Sequence, residues 1–344
     1  MPHRDIIVIG TSMGGIEALK TLVSGLPPDL PASILIVLHV SPESPGILPG
    51  ILNRAGRLPA SNATDREPVV PGRIYVAPPD RHLLVERDLV RVTYGPKENR
   101  FRPAIDPLFR SAARAYGPRV IGVILTGLLD DGTAGLWAIK QRGGTAVVQD
   151  PLDALAPSMP RSALSHVKVD YCLPLREIAS LLSRLVGTLA EAEGEYPVSE
   201  ELRIEVSIAE ENNAIEAGVL KMSSPSIFTC PECHGALLQI SEGDRFRFRC
   251  HTGHAFSHES LLAELNGKIE DALWNAIRTI QESAMLMEHL ARHLSQQHRA
   301  EAAAALAMGA HEAQRRADLV RQATRTQPGQ NEDLADEIPV GPGN

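Results

Sequence analysis

Ile6-Ile7-Val8-Ile9-Gly10-Thr11-Ser12-Met13-Gly14-Gly15 decides the fold class. Four apolar residues in succession, stopped by Gly10, read as a short strand buried on both faces, because no polar residue alternates with them. Directly after the glycines, Ile16, Leu19, Leu22 and Val23 recur at helical spacing. The alternation then repeats. Residues 34–38 form a second apolar run that ends at His39, and residues 74–77, 120–125 and 146–148 are further strand candidates. Residues 82–85 and 89–93 flank Glu86-Arg87-Asp88 and read as an antiparallel hairpin. The expected class is α/β, a doubly wound, mainly parallel three-layer sheet with an added hairpin over residues 1–189. Ligands of such sheets bind beyond the carboxyl ends of the strands, which is where Ser12, His39 and Asp131 fall.

The stretch Gly10-Thr11-Ser12-Met13-Gly14 fits a G-x-S-x-G turn between strand and helix. A sharp turn exposes the serine hydroxyl, and the helix N-terminus beneath it supplies amide donors for a developing oxyanion. A dinucleotide fingerprint would need glycine where Ser12 stands, and a phosphate loop would need Gly-Lys-Ser/Thr. A tight turn whose serine merely caps the helix is the plain structural reading. His39 ends the neighbouring strand on the same edge, and adjacent strands lie roughly 4.8 Å apart, so the two side chains can share a hydrogen bond. The loop Leu125-Thr126-Gly127-Leu128-Leu129-Asp130-Asp131-Gly132 brings two carboxylates to another carboxyl end. Either could cap the next helix; with Ser12 and His39 one would complete a nucleophile, a base and an orienting carboxylate.

The order Ser, His, Asp differs from the Ser, Asp, His order of α/β-hydrolases. It resembles the catalytic domain of the chemotaxis protein-glutamate methylesterases of the CheB type. The resemblance runs from Asp5 to about Val186 and rests on six ordered motifs. They are residues 10–15, Val37-Leu38-His39, residues 76–82, Arg102-Pro103-Ala104-Ile105-Asp106-Pro107-Leu108-Phe109, the 125–135 loop, and Gln149-Asp150-Pro151 through Ser158-Met159-Pro160. It implies Ser12 as nucleophile, His39 as general base and Asp131, which directly precedes Gly132, as the orienting aspartate. It also implies an oxyanion donor at the backbone N–H of Leu128; the N–H of Met13 is the second donor on turn geometry alone. The implied reaction is hydrolysis of glutamate γ-methyl esters, releasing methanol without a catalytic cofactor, with glutamine deamidation as a related activity. The implied partner is a methylated chemoreceptor or similar coiled-coil protein, the enzyme meeting a membrane only through that receptor. Met13 and Leu128-Leu129-Asp130 depart from the family's usual residues and bear on substrate fit. The family usually carries a phosphorylatable receiver ahead of this domain; none is read here, so the expectation is constitutive activity or control through the C-terminal region.

Beyond residue 189 the character changes. Nine glutamates between Glu191 and Glu216 face Arg203, so residues 190–226 read as a solvated acidic linker. Cys230-Pro231-Glu232-Cys233 is followed, sixteen residues on, by Cys250-His251-Thr252-Gly253-His254. Two knuckles at that spacing close a tetrahedral site, so residues 227–258 read as a zinc ribbon with structural zinc on Cys230, Cys233, Cys250 and His254. His251 and His258 are substitutes for the fourth ligand. Residues 237–240 and 245–249 form its hairpin, with Arg245, Arg247 and Arg249 expected on an exposed strand face. Residues 259–325 are helical, with an apolar seam at Leu262, Leu265, Ile269, Leu273, Ala276, Ile280, Met287, Leu290 and Leu294, suited to a helical hairpin or a homodimer. Residues 326–344 read as a disordered tail.

Composition excludes other classes. A formal charge of −8 and 4% aromatic residues disfavour nucleic acid and anionic lipid surfaces. Four cysteines cannot staple 344 residues, no apolar run reaches membrane-span length, and a cytoplasmic location is expected. Cys172 is expected to be a buried thiol. The alternative to an esterase is a catalytically weak signalling adaptor that binds through its ribbon and helical arm.

Overall fold

The computed structural model describes residues 3–211, 213–242 and 245–325. Seven parallel strands make the main sheet: β1 (Ile6–Thr11), β2 (Ser33–Leu38), β3 (Ala60–Asn62), β4 (Ile74–Val76), β7 (Val120–Ile124), β8 (Thr145–Gln149) and β9 (Tyr171–Leu173), in the order β3-β4-β2-β1-β7-β8-β9. β5 (His82–Glu86) and β6 (Leu89–Thr93) form the expected separate antiparallel hairpin. Side chains alternate across each strand, and both faces are apolar, so both are covered. Ile7, Ile9, Ile34 and Ile36 face α1 (Gly15–Ser24), α2 (Leu48–Ala55) and α6 (Leu175–Leu185). Ile6, Val8, Leu35 and Val37 face α3 (Ile105–Tyr116), α4 (Thr133–Gln141) and α5 (Ser158–His166). The short strands β3 and β9 carry too few apolar residues to be read from sequence. Cys172 lies on β9 at the sheet edge and is exposed rather than buried, because among the described residues no further strand covers that edge.

The central strand decides where chemistry can occur. β1 pairs with β2 on one side and β7 on the other, with Thr11 level with Leu38 and Gly10 level with Ile124. The order in which strands are added therefore reverses about β1, and three loops converge beyond its carboxyl end.

The region read as a solvated linker is packed instead. α7 (Glu200–Glu211) buries Leu202, Val206 and Ala209 against the α3 layer, while Ile204 and Ile208 join a small cluster with Val219 and Ile240. A short α8 (Ala214–Ala217) follows, capped by the Asn213 side chain. Next come β10 (Ser224–Thr229), β11 (Ala236–Glu242), β12 (Arg245–Cys250) and β13 (Ala255–Ser257), a four-stranded antiparallel sheet. Its small core is Cys230, Leu237, Phe248, Cys250, Phe256 and Leu261.

On β12, Phe248 faces that core, and Arg247 and Arg249 face the other way. The expected exposed arginine face is in fact buried. Arg249 is 0% exposed and pairs with Glu98 at 2.9 Å and with Glu205; Arg247 pairs with Glu205 at 2.7 Å, and Arg245 reaches Asp130 at 3.2 Å. Arg110 of α3 joins the cluster through Glu98. A buried charge is tolerable only when paired, and here the acids of α7 and the 95–104 loop supply the partners. Everything up to Leu261 thus forms one compact unit.

The second unit begins at Leu262. The long helix α9 (His258–Gln296) enters it after its first turn and forms an antiparallel hairpin with α10 (Ala300–Arg325), turned at His298, which adopts a φ of 59°. The buried seam is Ile277, Ala284 and Ala291 against Ala303, Ala310, Ala313 and Ala317. Small side chains recur there at seven-residue spacing, the repeat of a helix–helix seam. Of the expected seam, Leu273, Ala276, Ile280, Met287 and Leu294 are half-buried, whereas Leu262, Leu265, Ile269 and Leu290 are exposed. The expected tail, residues 326–344, lies outside the described residues.

Candidate active site and metal cluster

Ser12 follows β1 directly, with its backbone N–H donating to Thr126 O at 3.0 Å. Thr11 Oγ1 donates to the same carbonyl at 2.8 Å, locking the serine turn to the loop after β7. Two glycines make this possible. Gly14 caps α1 with φ 78°, a conformation that side chains rarely adopt. A Cβ on Gly127 would sit 2.0 Å from Met159 Sδ and 3.0 Å from Ser12 Cβ, so the loop passes beside the serine only without a side chain.

Ser12, His39 and Asp131 form one continuous hydrogen-bonded chain. His39 Nδ1 is 3.2 Å from Ser12 Oγ, and His39 Nε2 is 2.8 Å from Asp131 Oδ2. An ionised carboxylate only accepts, so Nε2 carries the proton and Nδ1 offers its lone pair to the serine hydroxyl. The ring is held flat by Phe101, stacked at 3.8 Å and 8°. Asp131 is almost fully buried and accepts from Ile105 N–H at 2.7 Å, Asn99 Nδ2 at 2.9 Å and Gly132 N–H at 3.0 Å. Burial alone would raise its pKa, but the bonds from His39, Ile105 and Asn99 outweigh it and hold the carboxyl below its ordinary range. Nearby Asp106 goes the other way: burial, then the charge on Asp131, push it up to about 7. The two acids share one Asn99 amide and are driven apart in acidity.

The expected oxyanion donors also fall at this edge. Among the described residues, no backbone hydrogen bond is donated by the N–H of Met13 or Leu128. Leu129, next to Leu128, has φ 60°, a strained conformation for a leucine that turns the loop sharply. Gln149 Oε1 accepts from Thr126 N–H at 2.9 Å, and Thr126 Oγ1 donates to Met13 O at 2.9 Å, so both donor segments are braced.

Several site residues carry no signal readable in isolation. Asn99 and Phe101 lie on the loop that joins β6 to α3, and only folding brings that loop over His39. His82 anchors it, with Nε2 at 2.9 Å from Pro96 O and Nδ1 accepting from Ala104 N–H at 3.3 Å. Burial depresses the pKa of His82, consistent with a neutral structural imidazole.

Cys230, Cys233, Cys250 and His254 are brought together as expected, with their ligand atoms all within 4.8 Å of one another. Cys233 Sγ to Cys250 Sγ is 3.6 Å, and His254 Nδ1 lies 3.7 Å and 3.5 Å from Cys230 and Cys250 Sγ. A tetrahedron with ~2.3 Å metal–sulfur bonds has edges of about 3.8 Å, so these separations fit a four-coordinate ion. His251 packs against Gly235 and His258 against Phe246, outside the cluster.

A parallel α/β sheet that joins serine, histidine and carboxylate at its carboxyl edge has the arrangement of the serine hydrolases. The comparisons narrow the class. A family model described as CheB methylesterase matches residues 7–182, just over half of the chain, and the chain belongs to that family of ester hydrolases. A Leptospira interrogans protein named putative protein-glutamate methylesterase/protein-glutamine glutaminase is 45% identical, over 53% of this chain and 95% of its own length. An Anaeromyxobacter dehalogenans protein-glutamate methylesterase/protein-glutamine glutaminase is 40% identical over 53% of both chains. The CheB methylesterase catalytic domain of Thermotoga maritima superposes with a TM-score of 0.52 at 35% identity, covering 54% of this chain and 100% of that domain.

Proposed function

We propose that this protein hydrolyses γ-methyl esters of glutamate side chains on a chemoreceptor-like coiled-coil protein, with Ser12 as nucleophile, His39 as base and Asp131 as orienting carboxylate. The observation that carries the reading is the unbroken chain from Ser12 Oγ through His39 to Asp131, at 3.2 Å and 2.8 Å. His39 Nδ1 takes the proton of Ser12 as its oxygen attacks the γ-carbonyl carbon. The N–H groups of Met13 and Leu128 are assigned to the oxyanion. Protonated His39 gives its proton to the departing methoxide, and methanol leaves. Water then attacks the glutamyl ester with His39 again as base, restoring Ser12 and freeing the carboxylate. The same steps on a glutamine side chain release ammonia, in keeping with the second activity in the relatives' names. Exposed Met13 and Leu155, beside the serine turn, suit an apolar rim on a helical protein substrate. Among the described residues no helix is long and apolar enough to cross a membrane.

We further assign a structural zinc ion to Cys230, Cys233, Cys250 and His254; when bound it cross-links the ribbon and takes no part in the reaction. The function is tested by methanol release from methylated receptor membranes. Wild type should release methanol, and Ser12→Ala should release none while keeping wild-type unfolding behaviour. Equal turnover by both would refute the assignment. The adaptor reading would be favoured instead by a wild type that binds such membranes without releasing methanol.

A further inference from the structure

We propose that the Cys3His ribbon is built into the esterase site, with Asn99 as a positioning residue for Asp131 whose orientation the ribbon sets. The inference rests on the hydrolase reading of Ser12 and His39. Asn99 is almost fully buried between the two modules and uses both ends of its amide. Nδ2 donates to Asp131 Oδ1 at 2.9 Å and to Asp106 Oδ2 at 3.1 Å. Oδ1 accepts from the backbone N–H of Ser257 at 3.0 Å and from Ser260 Oγ at 3.1 Å.

The two ends of an amide have nearly the same shape, so packing alone does not choose between them. Here the choice is made chemically. Two donors from the C-terminal module point at Oδ1, and this turns Nδ2 toward the two carboxylates. A flipped amide would set its oxygen against Asp131 and its NH2 against Ser257. The segment carrying Asn99 is also paired with the ribbon: Asn99 N–H donates to Ala255 O at 2.8 Å, and Ala255 N–H donates to Lys97 O at 3.2 Å.

A second tie runs to the neighbour of Asp131. Asp130 is almost fully buried and accepts from Ser257 Oγ at 2.7 Å and from Arg245 Nη2 at 3.2 Å. Ser257 Oγ in turn accepts from Ser260 N–H at 3.0 Å, capping the first turn of α9. Ser257 stands three residues after His254, a member of the metal-binding cluster. Order at the cluster is therefore passed through β13 to both Asn99 and Asp130, and so to both sides of the aspartate that orients His39.

The test uses the full-length, zinc-loaded chain, after Ser12→Ala has been shown to abolish turnover; retained turnover in that variant would defeat the hydrolase reading itself, separately from this one. Asn99→Asp, nearly the same shape, places a second acid against Asp131 and favours protonated His39. It should lower kcat roughly 10- to 100-fold with little change in KM, and move the acid limb of the kcat–pH profile to higher pH. Ser260→Ala, a milder change that frees one side of the Asn99 oxygen, should shift both quantities in the same direction by less. It also serves if Asn99→Asp does not fold. In a second arm, zinc is removed from the wild type by chelation and amide hydrogen exchange is followed. Faster exchange is expected across residues 97–101 and 126–135, reversed by adding zinc back. Wild-type kcat and acid limb in the variants, or unchanged exchange in those segments after zinc removal, would overturn the proposal.

Discussion

Replacing Arg249 tests whether the ribbon and the esterase sheet are one folding unit. Its guanidinium is fully buried, donates to Gly253 O, and lies between Glu98 and Glu205. Arg249→Met keeps most of the volume and removes the charge. Glu98 then retains Arg110, and Glu205 retains Arg247 and Arg110, so two buried carboxylates lose one of the cations that hold their pKa values below the ordinary range against burial. Breaking a buried ion pair from one side costs about 3–5 kcal/mol. Glu205→Gln alone should cost a similar amount, since it leaves Arg247 and Arg249 short of an acceptor. The double variant removes one charge of each sign and should cost less than the sum by at least roughly 1.5 kcal/mol, within the usual range for coupled neighbours. Chemical denaturation of all four proteins, with zinc present throughout, gives the cycle directly. The reasoning fails if either single change costs under about 1 kcal/mol, or if the two effects add to within about 0.5 kcal/mol.

Further expectations follow from the same geometry. Gly127→Ala should lower kcat by about 100-fold, since the new Cβ must push the loop away from Ser12 and Met159; steady-state assay of a folded variant checks this, and a rate within threefold of wild type would contradict it. Glu259, in the first turn of α9, has its pKa pushed up to about 7 by burial and then by Asp130. A carboxyl raised in the fold contributes fully below its unfolded value and loses that contribution as pH rises through the folded one. Glu259→Gln cannot ionise, so its stability relative to wild type should grow from about pH 4.5 to 7 and then level off; a flat difference across that window would be the contrary result. Metal analysis should find one zinc per chain, with Cys250→Ser binding far less, and retention of full stoichiometry would remove Cys250 from the ligand set.

How much was legible beforehand depends on whether a signal is local. The serine turn and His39 could be placed because β1 and β2 are adjacent parallel strands, and strand ends on one edge are level by construction. The four metal-binding candidates were equally readable, since each knuckle is a short-range geometry set by spacing. Asn99 and Phe101 were not, because their roles exist only once the loop between β6 and α3 folds over His39. The nine glutamates after residue 190 misled for the opposite reason. Charge composition reports a solvated surface on average, yet Glu205 faces three arginines supplied by α3 and β12.

The arginines of β12 mark the boundary. Strand periodicity alone determines that Arg245, Arg247 and Arg249 share one face and that Phe248 lies on the other. It determines nothing about what covers either face. Only the tertiary structure sets the phenylalanine against the cysteine knuckles and turns the arginines onto Glu98, Glu205 and Asp130, because burying a charge becomes possible when an opposite charge from a distant part of the chain is already in place.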